Sequence, residues 1–231
     1  MEFPPGPANC GGRRTFSLAR GGKSGLVNSA GVTDAMSHST DAEIRAALHR
    51  KALRAFHRCN DTLVIDELGL AHAKVRIDVA VINGSMHGFE IKSAADTLTR
   101  LPQQLDLYEQ CLEKLTIVCA EKHIPGVRDL APRWCGITKV TKGPRGGIVF
   151  ITVRKPKRNP NIQPYRLAHL LWRSEAVAIL TQANASPKML RAPRKTLYKS
   201  LAAKFSVAEI TAFIKVSMAS RQDWRPHQSP A

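Results

Sequence analysis

Two apolar runs joined by Asn-Gly constrain this chain more than any other feature. Val75-Arg76-Ile77-Asp78-Val79-Ala80-Val81-Ile82 is followed by Asn83-Gly84-Ser85 and then by Met86 through Lys92. Asn and Gly tolerate the left-handed backbone of a tight turn, so the segment reads as a hairpin. A three-residue loop sets Ile82 opposite Met86, hence Ala80 opposite Gly88 and Asp78 opposite Glu90. Side chains alternate along strands, so Asp78, Glu90 and Lys92 are expected on one face. Val79, Val81, Phe89 and Ile91 then form an apolar face turned to a core. A one-residue slip would separate the two carboxylates.

Opposed carboxylates repel, and partial burial adds a desolvation cost. The pattern therefore calls for a cation. A hard divalent ion held by carboxylates and a backbone carbonyl, its shell completed by substrate phosphate, answers that need. Lys92 would then orient an attacking water or stabilise transition-state charge. The competing expectation is a salt bridge in which Lys92 neutralises both acids, leaving one negative charge unpaired in an apolar sheet.

The flanking sequence predicts an α/β domain. Thr40 or Asp41 ahead of Glu43 starts a helix, and Ile44, Ala47, Leu48, Leu53 and Phe56 recur at helical spacing. Arg45, Arg50, Lys51 and Arg54 decorate its other faces. Strands are expected from Thr62 to Glu67, Val75 to Ile82 and Gly88 to Lys92, then a helix from Asp96 to Lys114. Further strands follow from Leu115 to Ala120, Trp134 to Val140 and Gly147 to Val153. A helix between the third and fourth strands implies a mixed sheet with a crossover connection.

Residues 1–36, with Pro4, Pro5, Pro7 and paired glycines, read as a disordered tail, either dispensable or a misassigned start. Residues 37–154 form the main domain and 155–164 a basic, Pro-rich linker. Residues 165–231 form a basic helical segment, with helices from Tyr165 to Gln182, Lys195 to Lys204 and Val207 to Ser217.

Charge separates the two parts. The chain carries +17 overall, and residues 142–231 hold 17 Lys and Arg against three acids. That imbalance points to a polyanion, nucleic acid before anionic membrane. Lys155, Lys157, Arg158, Arg191, Arg194, Lys195 and Lys199 are the expected contacts, and phosphate contacts of this kind give affinity without sequence choice. Five cysteines without a CxxC pair argue against a zinc site or a disulfide framework and fit reduced thiols in a cytoplasm. No apolar run approaches membrane-spanning length.

Asp78, then Glu90-Ile91-Lys92 after a hairpin, resembles the D…(D/E)xK signature of the PD-(D/E)XK nuclease superfamily. The longer run from Arg76 to Ser93 resembles an uncharacterised small bacterial family within it. The resemblance implies a restriction-endonuclease-like αβββαβ core with a mixed central sheet, plus the C-terminal helical segment. It implies a Mg2+-dependent deoxyribonuclease, with Mn2+ as substitute, acting on DNA in preference to RNA and compatible with a homodimer. Asp78, Glu90 and the Ile91 carbonyl would be metal ligands, with Glu67 as an additional acid and Lys92 as the catalytic lysine. Gln104 and Tyr108 resemble a QxxxY motif, sharing one helix face to contact a phosphate or a metal-bound water, or only to cap the sheet edge. Two alternatives stand beside the nuclease: a non-catalytic nucleic-acid-binding protein on the same fold, and a DNA-binding regulator working through its C-terminal helices.

Overall fold

The structure, a computed structural model, describes residues 39–221. The expected N-terminal tail and residues 222–231 of the C-terminal segment lie outside those residues. The first helix, α1 (Asp41–Ala47), starts as the sequence predicts. Thr40 accepts from the Glu43 N–H at 3.2 Å, and Glu43 accepts in turn from the Thr40 N–H at 2.8 Å. Such reciprocal capping satisfies donors that have no partner inside the helix. A wider π-type turn over Leu48–Ala52 follows, with Leu53 N–H reaching back to the Leu48 carbonyl at 2.9 Å, and then the short α2 (Arg54–His57).

Six strands make one mixed sheet in sequential order: β1 (Leu63–Leu70), β2 (Val75–Ile82), β3 (Met86–Lys92), β4 (Lys114–Ala120), β5 (Gly136–Lys142) and β6 (Ile148–Arg154). β1, β2 and β3 are antiparallel, β3–β4–β5 parallel, and β6 antiparallel to β5. The hairpin register is the expected one, with Ile82 opposite Met86 and Ala80 opposite Gly88. Gly84 has a φ of 83°, as the turn requires. At Gly88 a side chain would strike Leu112 at 2.6 Å, so glycine lets the crossover segment press onto the sheet.

The parallel pairings need crossovers, supplied by α3 (Leu101–Cys111) and by a 3-10 turn leading into α4 (Ile124–Leu130). α3 begins later than the expected Asp96, because Pro102 occupies its first turn and Pro has no N–H to give an earlier turn. Asp96 instead closes a separate turn by accepting from the Ser93 N–H and hydroxyl.

One sheet face packs Val79, Val81, Phe89, Ile91 and Val118 against Ile44, Leu48 and Leu53 of the first helical segment. The other packs Ala80, Ile82, Ile117 and Ile137 against α3, α4 and the C-terminal helices. Those helices are α5 (Pro164–Ala168), α6 (Arg173–Gln182), α7 (Pro187–Leu190), α8 (Arg194–Lys204) and α9 (Val207–Ser220). Leu167, Leu180, Leu197, Leu201, Ile210 and Ile214 belong to the same continuous core as the sheet. Residues 39–221 are therefore one compact unit.

The segment expected to be a linker is a strap. Asn159 is buried and donates to the Glu109 and Leu112 carbonyls at 2.6 and 2.8 Å. Its N–H bonds the Glu113 carbonyl at 2.8 Å. Among the described residues Cys111, Cys119 and Cys135 are buried free thiols, and no helix is long and apolar enough to cross a membrane.

Candidate functional site

Glu90 lies at the centre of the polar cluster, almost wholly buried on β3. Lys92 donates to its Oε1 at 2.7 Å, Gln104 to the same oxygen at 2.8 Å, and Tyr108 to its Oε2 at 2.6 Å. Lys92 also donates to the Gln104 side-chain oxygen at 3.0 Å. The Tyr108 hydroxyl shares its proton with the Arg76 carbonyl at 2.7 Å. Burial, followed by the charge of Glu90, raises the Tyr108 phenol well above its ordinary value, so it stays a neutral donor. Gln104 and Tyr108 do share a helix face as expected, and that face is turned to Glu90 and Lys92.

Asp78 has a different set of partners. Its Oδ2 accepts from the Ile91 N–H at 2.6 Å and its Oδ1 from Arg45 at 3.1 Å. The group of Ile91 that meets the cluster is thus its N–H. Arg45 also binds the Asp78 carbonyl at 3.2 Å, Asp41 at 3.1 Å, and Glu67. Burial alone would lower the Arg45 guanidinium, but the bond to Glu67 and the charges of Asp78 and Asp41 outweigh it and raise it. Asp78 is pushed up to about 7, by burial first and by the Glu90 charge second, against the pull of the Ile91 N–H and Arg45.

The backbone explains this division. Glu67 falls opposite Asp78 in the β1–β2 register and has a φ of 54°, unusual for a residue with a side chain. Strand alternation changes there. Ile77 packs in the same core as Ala80 and Ile82, although regular alternation would send it to the face of Val79. Asp78 therefore bonds to the α1 side and Glu90 to α3, so the simple one-face picture of the hairpin is corrected at this point.

Arg45 is the residue that sequence reasoning missed. Helical spacing assigns it to the surface of the first helix, yet it is a cation shared by Asp41, Glu67 and Asp78. Its signal was weak, since the contact joins residues 33 apart in the chain. Arg45 and the Ile91 N–H hold the Asp78 oxygens, while Lys92, Gln104 and Tyr108 hold those of Glu90, so both carboxylates are engaged within the protein. Among the described residues no three His, Cys, Asp or Glu side chains gather as a metal-holding group. His49 is a second omission: it is buried, 3.0 Å from His57 and 2.9 Å from Asp66.

The predicted nucleic-acid contacts Lys155, Lys157, Arg158, Arg191, Arg194, Lys195 and Lys199 are all exposed. Arg158 lies 3.8 Å from the buried Glu113. α8 carries Arg194 and Lys195 in its first turn, holds no acid, and has no side-chain cap.

Fold and site together define a mixed α/β protein with an internally hydrogen-bonded polar cluster and a basic helical layer. The chain belongs to the bacteriophage P4 protein cII family, whose sequence profile matches residues 35–225. It is similar to Protein cII of Enterobacteria phage P4, 28% identical over 162 residues. That match covers 70% of this chain but spans only 60% of the length of the phage protein. No solved structure matches it.

This membership corrects the expected superfamily. The chain is not placed among the PD-(D/E)XK nucleases or a small bacterial family within them, and the assignments of nuclease, hydrolase and Mg2+-dependent deoxyribonuclease fall with it. The physical reason for the misreading is that an acid, a hairpin and Glu-x-Lys form a short pattern. Here the same pattern is met by a buried carboxylate whose lysine, glutamine and tyrosine partners come from within the protein.

Proposed function

We propose that this chain is a non-enzymatic DNA-binding protein of regulatory type, acting in the cytoplasm through its basic C-terminal helices. The observation that carries the reading is the start of α8. Arg194 and Lys195 stand where the helix macrodipole disfavours cations, beside N–H groups that no side chain caps. An approaching phosphate relieves both penalties at once. Exposed Lys188, Arg191 and Lys199 extend the same positive surface.

Membership in a phage protein family supports a role on DNA, and the paired carboxylates support a structural rather than hydrolytic use of the buried cluster. The scaffold reading goes with it. Helix, three antiparallel strands, crossover helix and parallel strand support an αβββαβ core of restriction-endonuclease-like arrangement, carried here without hydrolysis.

Because α5–α9 share the core of the sheet, the test uses the full chain. Footprinting on phage DNA is expected to protect a discrete site. In anisotropy titrations, Arg194→Ala/Lys195→Ala/Lys199→Ala should flatten the dependence of log affinity on log salt by about 0.9 for each phosphate no longer neutralised. Failure of the full chain to bind duplex DNA would end this reading. Uniform coverage with no discrete site would replace the regulator by a DNA-binding protein without sequence choice.

A further inference from the structure

A concave site that takes in one expected contact, Lys157, together with three arginines outside that set, lies between α4 and β6. It encloses about 700 Å3 and presents four cations, Arg128, Arg133, Arg154 and Lys157, against one carboxylate, Asp129. Arg154 forms its floor. Its Nε donates to the Cys135 carbonyl at 2.7 Å, and its Nη2 to the Ala131 and Pro132 carbonyls at 3.1 and 2.9 Å. These bonds fix the guanidinium without neutralising it. Among the described residues none of the four cations forms an ion pair. Arg128 and Arg133, with Lys157, are exposed around the rim. Burial lowers the Arg154 guanidinium, and the charges of Arg128 and Arg133 act in the same direction.

We infer that this cleft is a second contact for DNA, taking the phosphodiester backbone rather than the bases. The inference rests on the DNA-binding reading above and adds a place for the strand away from α8. Like charges gathered without counter-ions store repulsion that a polyanion relieves, and guanidinium groups match phosphate oxygens in pairs. The cleft is much larger than one phosphate ion, and its cations come from separate segments around it. That spread suits successive phosphates of a polymer better than a single small anion. Leu130, exposed on the rim, offers the apolar contact that a sugar accepts.

The experiment titrates the full chain against a labelled duplex over a range of salt. It compares wild type with Arg128→Ala/Arg133→Ala and with a control pair, Lys74→Ala/Lys122→Ala, also exposed and equal in charge. The cleft pair should bind more weakly on every duplex tested, with a salt slope shallower by about 1.8, as expected when two phosphates are no longer neutralised. The control pair should stay near the wild-type slope. If the cleft pair unfolds, Lys157→Ala should show about half that change. A wild-type slope in the cleft variants, or an equal loss in the control, overturns the inference while leaving DNA binding intact. A wild type that binds no duplex overturns the DNA-binding reading first, and this inference with it.

Discussion

Asp78→Asn isolates the cost of keeping a carboxylate charged in the polar cluster. The folded chain holds the Asp78 proton up to about pH 7, against an ordinary value of 3.8. A raised carboxylate pKa means that the folded state binds the proton more tightly than the unfolded state. Its contribution is thus fully present below pH 3.8 and is lost as pH climbs through 7. Each unit corresponds to about 1.4 kcal/mol, so the full window amounts to roughly 4 kcal/mol. Asn keeps an oxygen for the Ile91 N–H but leaves Arg45 with less negative charge, which reduces the net gain to about 1–3 kcal/mol. Urea unfolding of both proteins from about pH 4 to about pH 8 measures it. At the acid end the two should be close in stability. At the alkaline end the variant should be the more stable. A stability difference that does not change with pH would refute the argument, because it would mean that Asp78 titrates alike in both states.

Lys92→Met should cost about 3–5 kcal/mol, since it leaves Glu90 charged and buried without its cation. Lys92→Met/Glu90→Gln should recover at least half of that loss in the same urea assay, and equal instability of the two variants would count against charge pairing as the cause. Asn159→Ala, which strips two carbonyls of their donor under the strap, should cost about 1–3 kcal/mol by thermal or urea unfolding. A change near zero would return the strap to a passive linker.

Much of the fold was legible because its signals were local. Asn83-Gly84 and the alternation beside it gave the hairpin and its register. The Thr40–Glu43 pair marked the helix start, and the apolar run after Lys114 marked a buried parallel strand. Pro102 was equally local, and it marks where α3 begins. The strap was obscured by composition. Pro and Lys read as linker, while the buried amide of Asn159 has no signature in sequence. Of the expected C-terminal helices, those from Lys195 and from Val207 were found as α8 and α9, whereas Tyr165 to Gln182 is broken into α5 and α6 and α7 was not foreseen. Their apolar stripes did not say which surface they would cover.

The polar cluster divides in the same way. Lys92 stands two residues from Glu90 on a strand, and Gln104 and Tyr108 stand one helical turn apart, so sequence spacing alone juxtaposes each pair. The left-handed Glu67 backbone, the departure from alternation at Asp78 and the closure by Arg45 depend on three segments meeting in space. Sequence by itself determined an α/β chain with a carboxylate hairpin and a basic C-terminal third, because period, turn chemistry and charge are properties of neighbours. Only the tertiary structure decided that Arg45 and Lys92 close on the carboxylates and that the basic helices are one body with the sheet. The energies of ion pairing and apolar burial depend on contacts between residues far apart in the chain.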